Sequence, residues 1–399
     1  MTSTEPGARA PAPDAPSEPT PLELRLMQLV RDHGPITVGD YMADALCHPQ
    51  HGYYATRDPF GPPKDEAPGG DFTTAPEISQ LFGELIGAWL VHAWSEIGEP
   101  SAFNLVELGP GRGTLMADIL RVAKVRPGFA KAARLFMVEA SGRMRYRQQR
   151  TLREAGYEPQ QGLQQGPQPT EGPEGKGPVW ADHLEDVPPG PTLLVANEFF
   201  DCLPIRQYVR AAEGWRERVV GLNDDESALA FVLRDAEPPE GAPHGARPED
   251  IYEVSEAGRA LAVQIAQRLG AHKGRALIID YGHGRTGLGD TFQAVKRHAH
   301  WPVLKAPGEA DVTAHVDFAA LARAARGAGA RVDGPVRQGD FLRRLGLEQR
   351  LARVAEARPD AADDLKAGAA RLAAPDQMGH LFKVLAISSE GLGEPAGFS

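Results

Sequence analysis

Three glycines alternate with other residues in Gly109-Pro110-Gly111-Arg112-Gly113, and an acid, Glu107, stands two residues before the first. Glycines at that spacing let a backbone turn tightly and approach a ligand closely. Asn104 to Leu108 is a short apolar, strand-like run, while Leu115, Ile119 and Val122 fall at helical spacing. Strand, glycine turn and a helix start with unpaired N–H groups together suit a nucleotide-like ligand. The dinucleotide fingerprint asks for a third glycine where this chain has Thr114, which disfavours a nicotinamide dehydrogenase.

Further apolar runs end in polar residues. Leu135 to Val138 leads to Glu139, Val179 to Ala181 leads to Asp182, Thr192 to Ala196 leads to Asn197, Glu198 and Asp201, and Ala276 to Ile279 leads to Asp280. In open α/β sheets ligands bind beyond the carboxyl ends of the strands. Glu139 is then placed to accept hydrogen bonds from ribose hydroxyls, with a surface ion pair as the alternative. Asn197, Glu198 and Asp201 would face the same crevice as the glycine turn, unless they cap the next element.

Upstream, Gly70, Asp71, Phe72, Thr73 and Thr74 lead into Ala75-Pro76-Glu77. Thr74 and Glu77 have capping-box spacing, so a long helix is expected with Ile78, Leu81, Phe82, Leu85, Ile86, Trp89 and Leu90 on its buried face. The polar loop before it is either a helix start or a binding element. His48 and His51 lie in a turn-rich loop beside Cys47 without an acidic or thiol partner, so they read as structural and no metal is expected.

The elements that must position these groups follow from the rest of the chain. Its 399 residues, 42% hydrophobic and 24% charged, can bury a large core. A formal charge of −11 disfavours nucleic acid as the principal ligand and favours a basic or arginine-rich partner. Two cysteines are too few for a disulfide framework or a four-thiolate zinc site, and no apolar run is long enough to span a membrane.

Residues 1–21 are dense in Pro, Ala, Ser and Thr and read as a disordered tail. Their three acids against one arginine are unlike a transit peptide, so cytoplasm is the expected compartment. Helices are expected from Leu22 and, capped by Thr37, through Val38, Tyr41, Met42 and Leu46. Residues 156–177 read as an exposed loop, 205–250 as an inserted β-meander, 282–315 as an irregular functional loop closing on His315, and 338–373 as short inserted helices. Leu381 to Ile387 reads as the last strand. The expected organisation is α/β: a tail at 1–21, a helical segment with a covering loop at 22–100, and one domain with insertions at 101–399.

These motifs together resemble the MidA-like family of class I S-adenosylmethionine-dependent methyltransferases. The matching runs are GDFTTAPEISQLFGELIG at 70–87, VELGPGRGTLMADILR at 106–121, NEFFDCLPIRQY at 197–208, LIIDYGH at 277–283 and PGEADVTAHVDF at 307–318. Ser141 is followed by Gly142 where the family has proline, a departure confined to loop shape. The resemblance implies a seven-stranded Rossmann-like core, of which the residues themselves show five parallel strands and a terminal one. It implies S-adenosylmethionine with Gly109, Gly111 and Gly113 under its methionine part, Glu139 at its ribose, Asp182 near its adenine, and Gly70 to Thr74 folded over it. It also implies methyl transfer to arginine of a partner protein, with a respiratory complex I subunit as a candidate. Glu198 and Asp201, with His315 third, are expected to position the guanidinium, because carboxylates in a closed crevice can pair bidentately with arginine. The rival expectation is an assembly chaperone that keeps the cofactor pocket and acts by binding.

Overall fold

The computed structural model describes residues 18–57, 70–158 and 177–399. The expected tail up to residue 17 and most of the 156–177 loop lie outside the described residues.

A mostly parallel sheet carries the glycine turn. Its strands are β1 (Phe103–Leu108), β2 (Ala133–Val138), β3 (Val179–Ala181), β4 (Thr192–Asn197), β5 (Gly274–His283), β6 (Arg331–Arg337) and β7 (Phe382–Ser388). The spatial order is β6-β7-β5-β4-β1-β2-β3, and only β7 runs antiparallel to its neighbours. A two-residue strand, Val316–Asp317, continues the sheet beside the end of β5. Every residue of β1 and β4 is buried, which is why both read as unbroken apolar runs: helices cover a parallel sheet on both faces. On one face Gln80–Glu96 and Thr114–Ala123 pack over Leu105, Val195 and Ile279, and on the other Glu256–His272 and Phe318–Gly327 pack over Val106, Leu194 and Ile278. Chain order reverses between β1 and β4, so a crevice opens at their carboxyl ends.

The strand without a sequence signal is β6. Gly334-Pro335 interrupts it and the register shifts between Asp333 and Val336, a break tolerated because β6 lies at the sheet edge, where a missing N–H leaves no partner unpaired.

The expected meander forms as Arg206–Ala211, Gly214–Leu222 and Leu229–Asp235, joined by Ile251–Val254 and Ile36–Thr37 into a five-stranded antiparallel sheet. Helices Pro21–His33 and Val38–Cys47 pack on it through Leu22, Leu26 and Met42. Thr37 caps the second of these as expected: its hydroxyl accepts from Asp40 N at 3.0 Å while Asp40 accepts from Thr37 N at 3.2 Å. Within the 282–315 stretch the structure holds a three-stranded sheet, Gln293–Lys296, Ala299–Trp301 and Asp311–Thr313. Strands of three or four residues are too short to show periodicity.

The long helix expected from Ala75 is interrupted. Ala75–Ile78 makes one turn, Ser79 is extended at φ −157°, and the helix restarts as Gln80–Glu96 with Ser79 as its cap. Thr74 makes no side-chain cap. Glu77 instead accepts a hydrogen bond from Thr114 Oγ1 at 2.5 Å and lies 3.6 Å from Arg112. The carboxylate that would have closed a capping box is engaged by the glycine turn.

Candidate functional site

Gly109, Gly111 and Gly113 have φ of 59°, 52° and 84°. These are left-handed conformations that side-chain-bearing residues seldom adopt. A Cβ on Gly109 would lie 2.5 Å from the ring of Phe199. The buried Gln148 braces the turn from the helix Gly142–Glu154. Its amide nitrogen donates to Gly111 O at 2.9 Å and to Glu139 Oε2 at 3.1 Å, and its oxygen accepts from Trp180 Nε1 at 2.7 Å. Glu139 also accepts from Ser141 N at 2.8 Å; burial pushes its pKa up while these donors pull it down. Asp182 is exposed and pairs with Arg145 at 2.5 Å.

Glu107 lies inside the sheet, and burial holds its carboxyl well above the usual range. Its Oε2 and Asn197 Oδ1 are buried without a hydrogen-bond partner. Both atoms belong to the carboxyl ends of β1 and β4, the strands that flank the crevice. Buried acceptors without partners are costly in a closed protein. A ligand rich in hydroxyl and ammonium donors would satisfy them, which is the chemistry of S-adenosylmethionine.

Beyond β4 the chain turns sharply. Asp280 holds that turn: its Oδ2 accepts the N–H groups of Phe199, Phe200 and Asp201 at 3.1, 2.9 and 3.1 Å, and its Oδ1 accepts from Tyr281 N at 2.8 Å. Glu198 sits at φ 51°, unusual for a side-chain-bearing residue. Its N–H donates to Ile279 O at 2.9 Å, and its Oε1 accepts from Ala75 N at 2.9 Å and Asn197 Nδ2 at 3.0 Å. Strain held by so many bonds is characteristic of functional positions.

The turn opens into a cleft of ≈ 370 Å³ whose lining includes Glu198, Asp201 and Asp311. Tyr54, Phe72, Tyr281, Met378 and Phe382 form apolar and aromatic walls. Asp311 accepts from Tyr54 Oη at 3.1 Å, Asp201 is hydrogen-bonded by Tyr281, and Asp201 Oδ1 has no partner. Burial, with the neighbouring carboxylates adding to it, pushes Glu198 up to about 7 and Asp311 up to about 8, and it raises Asp201 too. Arg371, exposed in the helix Ala362–Ala373, is the one arginine or lysine among the described lining residues.

The family model for S-adenosyl-L-methionine-dependent methyltransferase matches residues 85–336. The chain belongs to this family, the MidA-like methyltransferases. It is 39% identical over 384 residues to the mouse mitochondrial protein arginine methyltransferase NDUFAF7, covering 94% of this chain and 86% of that one. It is 38% identical over 376 residues to the human protein of the same name, covering 92% and 83%. The crystal structure of a COG1565 superfamily member from Burkholderia thailandensis bound to S-adenosyl-homocysteine superposes with a TM-score of 0.80 at 27% identity, covering 98% of this chain and 97% of that one. The Rossmann-like core, the methyltransferase class and the cofactor S-adenosylmethionine follow for this chain. The cytoplasmic expectation is overturned, since the mouse and human relatives are named as mitochondrial. It rested on composition in residues 1–21 alone, and a folded enzyme core carries no chemistry that reports its compartment.

In this methyltransferase the sequence candidates fall into two groups. Glu107, the glycine turn, Glu139 and Asn197 gather round the crevice, and Thr73, Glu198, Asp201 and His315 line the cleft. Asp71 is tied elsewhere: its carboxylate accepts from Tyr53 Oη at 2.7 Å and Arg297 N at 2.8 Å, fixing the 70–74 loop to the 293–301 hairpin. His48 and His51 stack at 5.2 Å, and His48 Nδ1 accepts from the N–H groups of Gln50 and His51. No group of histidines, cysteines and acids placed to hold a metal occurs among the described residues. Sequence reasoning missed Asp311, Tyr54, Tyr281 and Arg371. Asp311 and Tyr281 lie in motif runs that were recognised without a role being given to either residue, while nothing in the sequence marks Tyr54 or Arg371.

Proposed function

We propose that this methyltransferase methylates an arginine side chain of a partner protein. The observation that supports it is the cleft: burial raises the pKa of three carboxyls, Glu198, Asp201 and Asp311, the Asp201 charge adds to the rise at the other two, and only the exposed Arg371 among the described lining residues brings a lysine or arginine charge, which eases Glu198. A guanidinium entering there relieves that repulsion, pairs in a fork geometry, and is held flat between aromatic walls. We assign the cofactor to the other side of the turn: Gly109, Gly111 and Gly113 beneath it, Glu107 and Asn197 on its donors, Glu139 on its ribose, Asp182 beside its adenine, and Gly70 to Thr74 over it. Bound there, S-adenosylmethionine supplies an electrophilic methyl group on a positively charged sulfur.

The residues of the chain orient the nucleophile. Glu198 and Asp201 fix the direction of the guanidino nitrogen, Asp311 holds its far side, and the closed cleft keeps out competing water. The pKa of arginine lies above about 12, so its proton leaves during or after methyl transfer and a group in the cleft must receive it. His315, half-buried and with its pKa lowered by burial, is neutral near pH 7 and can do so. A respiratory complex I subunit, the partner the family resemblance implies, is the first candidate to test. Incubating the protein with methyl-labelled S-adenosylmethionine and a cell lysate, then mapping the label by mass spectrometry, should place it on arginine. Label on lysine or on a small molecule would overturn the reading.

A further inference from the structure

His315 stands where two cavities meet. It lines the acidic cleft and also a second cavity of ≈ 30 Å³ formed with His283, Asp317, Glu253 and Arg259. Among the described lining residues it is the one common to both.

The pleat of the sheet explains this placement. Val316–Asp317 runs parallel to the end of β5, with Gly282 opposite Val316 and His283 opposite Asp317. Residues two apart on a strand share a face, so Tyr281 and His283 form one row with His315 and Asp317. The rings of Tyr281 and His315 meet edge-on at 5.5 Å, and His283 Nε2 lies 4.0 Å from Asp317 Oδ2. At the inner end of the row Tyr281 is hydrogen-bonded to Asp201. At the outer end the His283 side chain is 35% exposed. Asp317 is fixed by capping the helix Phe318–Gly327 through Ala320 N at 2.9 Å, and His315 N–H donates to Thr291 Oγ1 at 2.8 Å.

Methylating a guanidinium releases one proton. The S–CH₃ bond breaks as the N–CH₃ bond forms, the sulfur loses its positive charge, the product stays cationic, and the attacking nitrogen gives up one hydrogen as H⁺. A proton left in the cleft would neutralise a carboxylate needed for the next substrate. We propose that His315 and His283 carry this proton out of the cleft to solvent, His315 receiving it on the cleft side and His283 releasing it, with Asp317 as the residue that positions His283. This rests on the arginine reading above.

A neutral imidazole can accept at one ring nitrogen and donate from the other. Burial lowers the pKa of both rings, His283 lowers His315 further, and Asp317 opposes the effect at His283, so both rings are free to take up a proton and pass it on. Lys383 on β7 lowers both, while Asp201 and Tyr281 on the cleft side and Glu253 and Arg259 in the second cavity complete the charged and titratable surroundings.

The test uses His283→Gln and Asp317→Asn in the full chain, with the arginine protein labelled in the lysate experiment as substrate. His283→Gln should cut kcat at least about tenfold with KM for S-adenosylmethionine unchanged, and free imidazole should restore turnover. In the unliganded protein, NMR titration of ¹³C-labelled histidines should show the His315 pKa rising in His283→Gln and the His283 pKa falling in Asp317→Asn. Wild-type turnover in a folded His283→Gln across the neutral range, or a loss that imidazole does not repair, would overturn the route. Wild-type protein that transfers no methyl to arginine would instead strike the arginine reading first and remove this inference with it.

Discussion

Ala75 N–H donates to Glu198 Oε1 at 2.9 Å, joining residues 123 positions apart. The contact ties the turn after the 70–74 loop to the strained turn after β4, so the loop that brings Phe72 and Thr73 into the cleft and the Glu198 carboxylate that lines it with them are held by one bond. Because Glu198 also takes Asn197 Nδ2 at 3.0 Å on the same oxygen, its orientation is fixed before any ligand arrives. Such pre-orientation is how electrostatic catalysis avoids reorganisation during the reaction.

Glu198→Gln retains the shape and a carbonyl acceptor for Ala75 and removes the charge. Cofactor affinity by calorimetry should stay near wild type, while methyl transfer to the protein substrate falls by about a hundredfold, the usual cost of losing one positioned electrostatic group. Near-normal turnover would take Glu198 out of the reaction.

The cleft carboxyls also set a pH dependence. A carboxyl whose folded pKa stands above its unfolded value binds its proton more tightly when folded. Its contribution to stability is therefore full below the ordinary value and is lost as pH rises through about 7 for Glu198 and about 8 for Asp311. The unliganded protein should show a falling Tm between pH 5 and about 9, and Glu198→Gln should flatten that fall. Affinity for a guanidinium should move the opposite way, increasing over the same range as the carboxylates ionise. A Tm that rises with pH through this window would refute the assignment.

What the sequence disclosed divides along physical lines. β1, β4 and β5 were legible because burial on both faces leaves unbroken apolar runs, and the glycine turn was legible because its left-handed φ values demand glycine. β6 was hidden by Gly334-Pro335, and the capping box that the spacing of Thr74 and Glu77 suggests does not form, Glu77 bonding instead to Thr114, 37 positions away. Asp311 joins the cleft only because the three-stranded sheet brings it beside Tyr54, 257 positions earlier, and no local spacing reports that contact. The polar tips of strands could be read one at a time; the arrangement of three acids round one cleft could not.

Gly111→Val should abolish cofactor binding, since a branched residue is strained at φ 52° and its side chain would occupy space the backbone needs for the ligand. Calorimetry with S-adenosylhomocysteine, with circular dichroism to confirm folding, decides it. Unchanged affinity in a folded variant would sink the placement of the cofactor on this turn.

Glu139→Ala should weaken cofactor binding by about 1 to 3 kcal/mol, the scale of hydrogen bonds lost from a charged acceptor. Part of that loss would be indirect, because Gln148 bridges Glu139 and Gly111 O and would lose one of its two acceptors. Gln148→Ala separates the contributions: it should loosen the turn while leaving Glu139 in place, so a smaller loss in affinity is expected. Equal affinity for wild type and Glu139→Ala would return Glu139 to a structural role.

Asp280 should matter more to stability than to cofactor contact. Its Oδ2 accepts three successive N–H groups, from Phe199, Phe200 and Asp201, and the residue is fully buried. Burial, with Asp201 and Glu198 adding to it, raises its pKa, while the amides oppose the shift. Asp280→Ala leaves those three donors without their acceptor. At about 1 to 3 kcal/mol for each buried group left unsatisfied, partly relieved by water entering the space, a loss of at least about 2 kcal/mol is expected. Asp280→Asn keeps a carbonyl oxygen that can still accept from the turn, so its denaturation midpoint should lie between those of wild type and Asp280→Ala. Because Glu198 and Asp201 are carried by this turn, methyl transfer should fall in the same order, with S-adenosylhomocysteine affinity falling less than turnover. An alanine variant as stable as wild type in urea unfolding would show that the turn is held by its own backbone and not by Asp280.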